Sequence, residues 1–536
     1  MQYSNNHVRG RALFPPLALL IILCTTLISG CSPVKEETDN PVITNNSTQL
    51  PTPLVTATLE ETSAQISEFP PDINPLTGLP VADPKLLKTP ALLVSISHFP
   101  ATARPQAGLS FAPYVFEFFI TEGATRFLTA FYGEFPYPEI PVTGNCAVRE
   151  GPFQQTDVIL GNQVWLDANK NGLLDVDERG IGGICVNLYD ANGNLTQNTT
   201  TDTNGYYGFN VQEGQDYTIE ILLPANMALT TLNTGDEKLD SNFDPATGRT
   251  SWIKMTGNDL SRDAGLVLSE TFPTPNPLYL PIAQVGPVRS GRLLYAHIGG
   301  SFQSSCLIYA FASPEVLERI PQCAFVTHEL SGGGYMLDIE EMKEIARQNK
   351  RNTGDIDFKY ASNIYSEEPP EGGLPASKIN VYISYLNQSG WVYDPLYQGW
   401  LRYVDTSAEN LAGVLFPDKD RLNGRQLHFE NVIVLFANHE VISPTNLDIH
   451  LEEGRIGDAV LFRDGRMYNI QWSTKPGAYE QETGLRRPIQ FLNNDNTPAP
   501  LKPGRTWVLI ATKESGVLEE STGIWKVLFS APAGAP

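Results

Sequence analysis

The chain lacks most of the features that would mark a nucleic-acid binder, a metalloenzyme or a polytopic membrane protein. It has 37 Lys and Arg against 60 Asp and Glu, a formal net charge of −23, and no Lys/Arg-rich tract. Phosphate neutralisation needs a basic face, so nucleic acid is excluded as a partner. The six cysteines form no CxxC pair and the seven histidines no HExxH motif, which leaves no recognisable zinc site. A Walker loop, a dinucleotide fingerprint, a haem signature and a GxSxG elbow are also missing. No uninterrupted apolar stretch reaches the length of about 20 residues needed for a permanent membrane span.

What is present points to β-rich structure. Apolar residues make up 41% and aromatics 10% of 536 residues, enough for real cores, while 44 Gly and 41 Pro favour turns and short strands over long helices. At about 150 residues per domain the length accommodates about three folded units. The acidity suits solubility and cation binding.

The N-terminus reads as an address. Arg9 and Arg11 precede the apolar run Leu17–Cys24, which continues to Leu27-Ile28-Ser29-Gly30-Cys31. This is the layout of an export signal over 1–30, and the small residues before Cys31 resemble a bacterial lipobox. The resemblance implies cleavage before Cys31 and diacylation of its sulfur, hence a lipid anchor on the extracytoplasmic face of the cell membrane. Residues 31–70, rich in Thr, Ser, Pro, Asn and Glu, read as a disordered tether. Four cysteines remain, Cys146, Cys185, Cys306 and Cys323. In an exported chain they suggest two disulfides; three pairings are possible, and neighbourhood favours Cys146 with Cys185 and Cys306 with Cys323.

From Gly161 short β-type runs alternate with Asp/Asn/Gly turns, the pattern of a small antiparallel sandwich, expected over 145–270. Within it Asp167, Asn169, Asn171, Asp175 and Glu178 fall at positions 1, 3, 5, 9 and 12 of a calcium loop, with Gly172 at the sharp turn and the Leu173 carbonyl at position 7. Alternate oxygen ligands can converge on one hard cation. The segment GNQVWLDANKNGLLDVDERGIGGICVNLYDANG, followed by TTTDTNGYYGFNV, DEKLDSNFD and RDAGLV, resembles the B-type repeats of Sdr and Cna-like bacterial surface adhesins. That resemblance implies a calcium-rigidified, non-catalytic stalk or spacer, with Asp240, Asn242 and Asp244 as a second ligand group. Six basic and fifteen acidic residues over 161–268 give calcium a repulsion to relieve.

The Pro-rich stretches FPYPEIP (135–141) and FPTPNPLYLP (272–281) bracket this module as insertion points would. Outside them PLTGLP (75–80), ARPQAGLSFAPYVFEFFITEGATRF (103–127), GPVRSGR (286–292), HIGGS (297–301), VYDPLYQGWLRY (392–403), ENVIVLFANHEVI (430–442), GDAVLFRDGRMYNIQWS (457–473) and LKPGRTWVLI (501–510) resemble the YerB-type family of bacterial lipoproteins, whose function is uncharacterised. Residues 323–360 depart from that family's pattern. The expected fold is α+β and multidomain: a discontinuous mixed α/β N-terminal domain (71–141 plus 282–375), the inserted all-β sandwich, and a mainly β C-terminal domain (378–515). Helices are expected at 314–320 and 339–348, and the tail after Thr512 reads as irregular and exposed.

Candidate chemistry rests on arginines in turn-rich motifs of an acidic chain. Arg104, Arg126, Arg289 and Arg292 could present guanidinium forks to a carboxylate or phosphate, with Gly123, Gly286, Gly299 and Gly300 letting backbone N–H groups approach. Glu122, Ser290 and His297 complete this candidate anion site. The competing reading pairs the arginines with Glu117, Glu122 and other acids as structural salt bridges. Ser290, His297 and Glu122 could also be drawn as a hydrolytic triad, without supporting nucleophile context. His98 and His328 read as surface or core histidines. Trp391, Tyr393, Trp400 and Tyr403 could form a platform for sugar rings, or sheet packing. The sequence thus favours a non-catalytic surface lipoprotein binding an anionic or glycan envelope component, with a calcium β domain as spacer. A cell-wall hydrolase or transferase using Arg289, Arg292 and Glu122 is the competing class, and a structural adhesin with a surface protein partner is a third.

Overall fold

The computed structural model describes residues 69–138, 146–224, 227–268, 283–320, 323–325, 335–354, 358–385, 387–406 and 413–535. The export signal, Cys31, almost all of the tether and His328 lie outside them. Among the described residues no helix is long and apolar enough to cross a membrane.

Thirteen strands form one sheet. At its centre Thr506–Thr512 runs parallel to Tyr114–Thr121 on one side and to Asn431–Ala437 on the other, with Tyr114 and Asn431 both opposite Thr506. A parallel strand covered on both faces must be apolar at nearly every position, and TWVLIAT is buried throughout while YVFEFFIT is buried up to its last residue. Outward from Tyr114–Thr121 come Ala124–Phe131, Leu92–Ser97 and Cys306–Tyr309. In the other direction lie Ile456–Arg463 and Arg466–Ser473, joined by an Asp464-Gly465 turn with positive φ at both residues. The expected division near 375–378 is therefore a division of the chain; the sheet runs across it.

A second, seven-stranded sheet packs on one face of the first. Its Ile379, Trp391, Trp400 and Val527 share a core with Phe127, Val434 and Trp507 of the large sheet. The helix Leu294–Ser301 contributes Leu294, Tyr295 and Ile298 to the core on the opposite face. The architecture is mostly strand with few helices, as the α+β reading requires. The tail is an exception to the expectation: Gly516–Ser521 and Ile524–Leu528 form a hairpin in the second sheet, with Trp525 and Val527 buried. Strand alternation was present there, but over only five residues. The helix expected at 314–320 is the single turn Pro314–Leu317, whereas the next extends over Ile339–Thr353, capped by Asp338 accepting from the Glu340 N–H.

Between the two sheets sits a polar node. Arg402 has no exposed surface, forms a close ion pair with Asp418, and lies 3.6 Å from Glu117 Oε2. Its guanidinium is 4.5 Å from the Trp507 ring centroid, and the Trp507 indole donates to Glu117 Oε2 at 3.1 Å. The Thr125 hydroxyl donates to Glu117 Oε1 at 2.9 Å. Glu117 is thus the partner of an arginine 285 positions later in the chain.

The inserted segment is a sandwich of two four-stranded sheets, with Leu160, Val164, Val186, Ile219, Phe243 and Leu266 between them. A disulfide between Cys146 and Cys185 ties the incoming chain to it, and a second joins Cys306 to Cys323 in the body. The sandwich is held against the body. Tyr397 donates to Asp202 Oδ2 at 2.5 Å and its ring lies 4.5 Å from that of Tyr206, while Arg425 Nη1 donates to Asn204 Oδ1 at 3.0 Å. Arg149 pairs with Asp394 at 2.9 Å, and Arg179 contacts Glu134 and Tyr137.

Removing Arg402 leaves Glu117 and Asp418 buried without their cation. Arg402→Ala is expected to cost about 3–5 kcal/mol of unfolding free energy, read as a lowered urea midpoint. A change within the range of an exposed substitution would show that the node does not bind the sheets together.

Candidate anion-binding site

The site is assembled on the strand Leu92–Ser97. On one edge Ser97 stands opposite Arg126 of Ala124–Phe131. On the other, Ile96 bridges to Val288, and the next residue, Arg289, donates its N–H to the Ser95 carbonyl at 2.9 Å. The chain then turns through Ser290, Gly291 and Arg292 into the helix Leu294–Ser301. Two further backbone bonds fix this turn: Ala310 N–H to Arg289 O at 3.0 Å and Gly291 N–H to Phe311 O at 2.6 Å. The segments before and after the sandwich thus meet at the carboxyl end of Leu92–Ser97, whose neighbour Cys306–Tyr309 runs parallel to it.

Arg126, Ser290 and Arg292 are in direct contact. Arg126 Nη1 donates to the Ser290 carbonyl at 3.2 Å and to its hydroxyl at 3.3 Å; Arg292 Nη1 donates to the same hydroxyl at 2.9 Å. Arg126 is 4% exposed, while Arg289, Ser290 and Arg292 remain open to solvent on one side. The Nε atoms of Arg126, Arg289 and Arg292 are all buried without a hydrogen-bond partner. Among the described residues none of the three arginines forms an ion pair with a carboxylate. Burial, with Arg292 and Arg289 alongside, pulls the Arg126 guanidinium down to about 9, and burial lowers Arg292 as well. Arg126 remains cationic at neutral pH.

The other candidates go elsewhere. Arg104 is a structural ion pair: it meets Asp405 at 2.8 Å and His98 Nε2 at 2.8 Å, on the side of the second sheet. His98 is fully buried and held neutral by that burial and by Arg104. Glu122 occupies an exposed hairpin turn with φ of 47°. His297 Nε2 pairs with Asp448 at 2.9 Å, and Asp448 also takes Arg319 at 2.6 Å; this lowers the Asp448 carboxyl. Ser290, His297 and Glu122 therefore make no triad. The Gly286 N–H is spent on the Ala107 carbonyl. Trp391 and Trp400 are buried in sheet packing and Tyr393 and Tyr403 are half-buried, so the four form no open platform. Asp448 and Phe311 were not singled out in the sequence; Asp448 lies 151 residues from its histidine.

In the sandwich, Asp167 accepts from the Gly172 N–H at 2.8 Å and from the Thr230 hydroxyl at 2.5 Å. Glu178 closes the same loop, accepting from the Ala168 N–H at 2.7 Å and the Asp175 N–H at 3.2 Å. The Asn169 and Asn171 amides both donate to Asp175 Oδ2. Burial and the nearby Asp167 charge raise the Glu178 carboxyl. An all-oxygen donor set with like charges drawn together fits a hard cation, although among the described residues no three carboxylate, His or Cys side chains cluster tightly enough to hold one. Leu173 bridges to Asp240, which accepts from the Asn242 amide, while Asp244 caps a local turn through the Ala246 N–H. Beside Asp240 lies the buried Asp263, its carboxyl pushed well up by desolvation; the sequence reading did not select it.

Residues 76–142 match the family described as protein of unknown function (DUF3048), N-terminal domain, 379–508 match its C-terminal domain, and 158–266 match the SdrD B-like domain. Curated relatives include the fibrinogen-binding protein of Staphylococcus epidermidis, 41% identical over 90 residues (17% of this chain, 8% of that protein). Serine-aspartate repeat-containing protein D of Staphylococcus aureus is 43% identical over 90 residues (17% of this chain, 7% of that one), and protein F of Staphylococcus epidermidis 44% over 114 (21% and 6%). The chain thus spans 8% or less of the length of these relatives. The crystal structure of YerB from Bacillus subtilis aligns with a TM-score of 0.42 and 16% identity, covering 82% of this chain and 96% of that one. The chain carries matches to both the N-terminal and the C-terminal domain of the DUF3048 family, with an SdrD B-like domain set between them.

Proposed function

We propose that this protein is a lipid-anchored, non-catalytic component of the cell surface that binds an anionic constituent of the envelope at Arg126, Arg289, Ser290 and Arg292. The observation that carries the reading is three buried Nε donors in a group of arginines with no carboxylate partner among the described residues. A buried cation is normally paired, because desolvation is costly without compensation. Cations left together at an accessible turn are a site waiting for a counter-charge. The export signal with Cys31 supports anchoring at the extracytoplasmic face, and the SdrD B-like domain, whose relatives are staphylococcal repeat proteins, supports a surface location. That domain acts as a docked module rigidified by calcium through Asp167, Asn169, Asn171, the Leu173 carbonyl, Asp175 and Glu178.

Thermal unfolding of the purified full chain tests both parts. Calcium is expected to raise the unfolding temperature of the wild type and to have no effect on Asp167→Ala combined with Glu178→Ala; an equal response in both would remove the metal reading. A polyanionic wall fragment at about 100 times its Kd is expected to add about 2.7 kcal/mol, and Arg289→Gln to abolish that gain. Because Arg289→Gln also relieves like-charge repulsion, the variant without ligand is expected to be at least as stable as the wild type. A destabilised variant would show that Arg289 serves the fold, and a wild type indifferent to every anion would overturn the binding reading.

A further inference from the structure

The anion reading leaves open which anion, and the arrangement of donors narrows it. Ser290 Oγ accepts from both Arg126 Nη1 (3.3 Å) and Arg292 Nη1 (2.9 Å). A hydroxyl has two acceptor lone pairs and one proton. With both lone pairs taken, the Ser290 hydroxyl can act toward a further group only as a donor. The site therefore offers one hydroxyl donor and three guanidiniums to an incoming anion. A carboxylate brings one charge and two oxygens, which leaves two cations uncompensated. A phosphate monoester brings a charge of about −1.5 to −2 and three terminal oxygens, close to what this donor set can satisfy.

The surroundings agree. The donors converge at the carboxyl ends of the parallel strands Leu92–Ser97 and Cys306–Tyr309, the end of a sheet at which ligands of α/β folds bind. Phe311, two residues beyond Cys306–Tyr309, is 55% exposed between the buried Ala310 and Ala312, and its carbonyl is held by the Gly291 N–H between Ser290 and Arg292. This backbone tie sets an exposed aromatic residue next to the cationic turn, and such a ring offers the organic part of an ester a face to lie on.

Resting on the binding reading above, we infer that Arg126, Arg289, Ser290 and Arg292 take the phosphoryl group of a phosphate ester whose organic part lies against Phe311. The ester is bound as such, with no bond made or broken.

Calorimetric titration of the full chain in detergent with inorganic phosphate, glycerol 3-phosphate and glucose 6-phosphate, against malonate and glucuronate, tests this. The phosphoryl ligands are expected to bind at least about ten-fold more tightly than the carboxylates, the worth of one charge-assisted hydrogen bond. Arg126→Gln and the more exposed Arg289→Gln should each abolish the difference, so that a folding defect in the first does not decide the outcome. Phe311→Ala should weaken glucose 6-phosphate while leaving inorganic phosphate unchanged. Vesicles of phosphatidylglycerol, compared between the wild type and Arg289→Gln, distinguish a lipid headgroup from a soluble ester as the source; arginine-dependent binding of either supports the phosphoryl assignment. Equal affinity for malonate and the phosphate esters would overturn that assignment and leave the anion reading standing. No arginine-dependent binding of any anion by a folded chain would overturn both. An equal loss for ester and inorganic phosphate in Phe311→Ala would remove the ring from the site.

Discussion

The fold depends on one buried cation placed where two sheets meet. Arg402 comes from the second sheet, Glu117 from the N-terminal part of the large sheet, and Trp507 from its central strand. Packing three such elements with apolar side chains alone would satisfy their volume without fixing their mutual register. A charge that must find Asp418 and Glu117 and lie along an indole ring has one solution. A polar node of this kind contributes to specificity as much as to stability. It also lies where the large sheet is joined: Glu117 and Trp507 stand on the paired strands Tyr114–Thr121 and Thr506–Thr512, both against Arg402.

The same logic, with the opposite sign, distinguishes the arginine turn. Arg126 is buried on its strand, and Arg104, in the loop after Ala101–Ala103, keeps its side chain 8% exposed. Arg104 has Asp405, Arg402 has Asp418, and Arg463 has Asp464. These three arginines, whose side chains are almost wholly covered, are each paired with a carboxylate. Among the described residues Arg126, Arg289 and Arg292 stand together without one, in a molecule whose acids outnumber its bases. Where a fold gives up a stabilising partner, the group concerned commonly serves a ligand.

Local signals in the sequence were enough for the sandwich, because alternation and Asp/Asn/Gly turns lie within a few residues of one another, and for Thr506–Thr512, because a doubly covered strand must be apolar throughout. Long-range pairings were not legible. Arg104 finds Asp405 across 301 positions and His297 finds Asp448 across 151. Arg126 lies on Ala124–Phe131, where a one-residue change in register would turn its side chain to the other face, whereas Arg104 is placed by the loop after the turn Ala101–Ala103. The tail hairpin was missed for a related reason. Trp525 and Val527 alternate correctly, but five residues between glycines and serines carry too short a pattern to separate a strand from an irregular end.

The sandwich lies, in sequence, between the two halves of the arginine site: Arg126 precedes it and Arg289 follows it. A module of this size interposed in a binding site should disrupt it unless the two halves are registered on something else. They are. Arg126 is placed by Ser97 and Arg289 by Ser95, both on a strand that precedes either half. Neither arginine depends on the course of the chain between them. The sandwich meanwhile carries its own core and docks through Asp202, Asn204 and Arg149 onto Tyr397, Arg425 and Asp394 of the C-terminal half. Its Arg179 also contacts Glu134 and Tyr137, beyond the end of Ala124–Phe131. A loop whose flanking strands are already fixed by a third is where a whole domain can enter while the chemistry at its base stays unchanged.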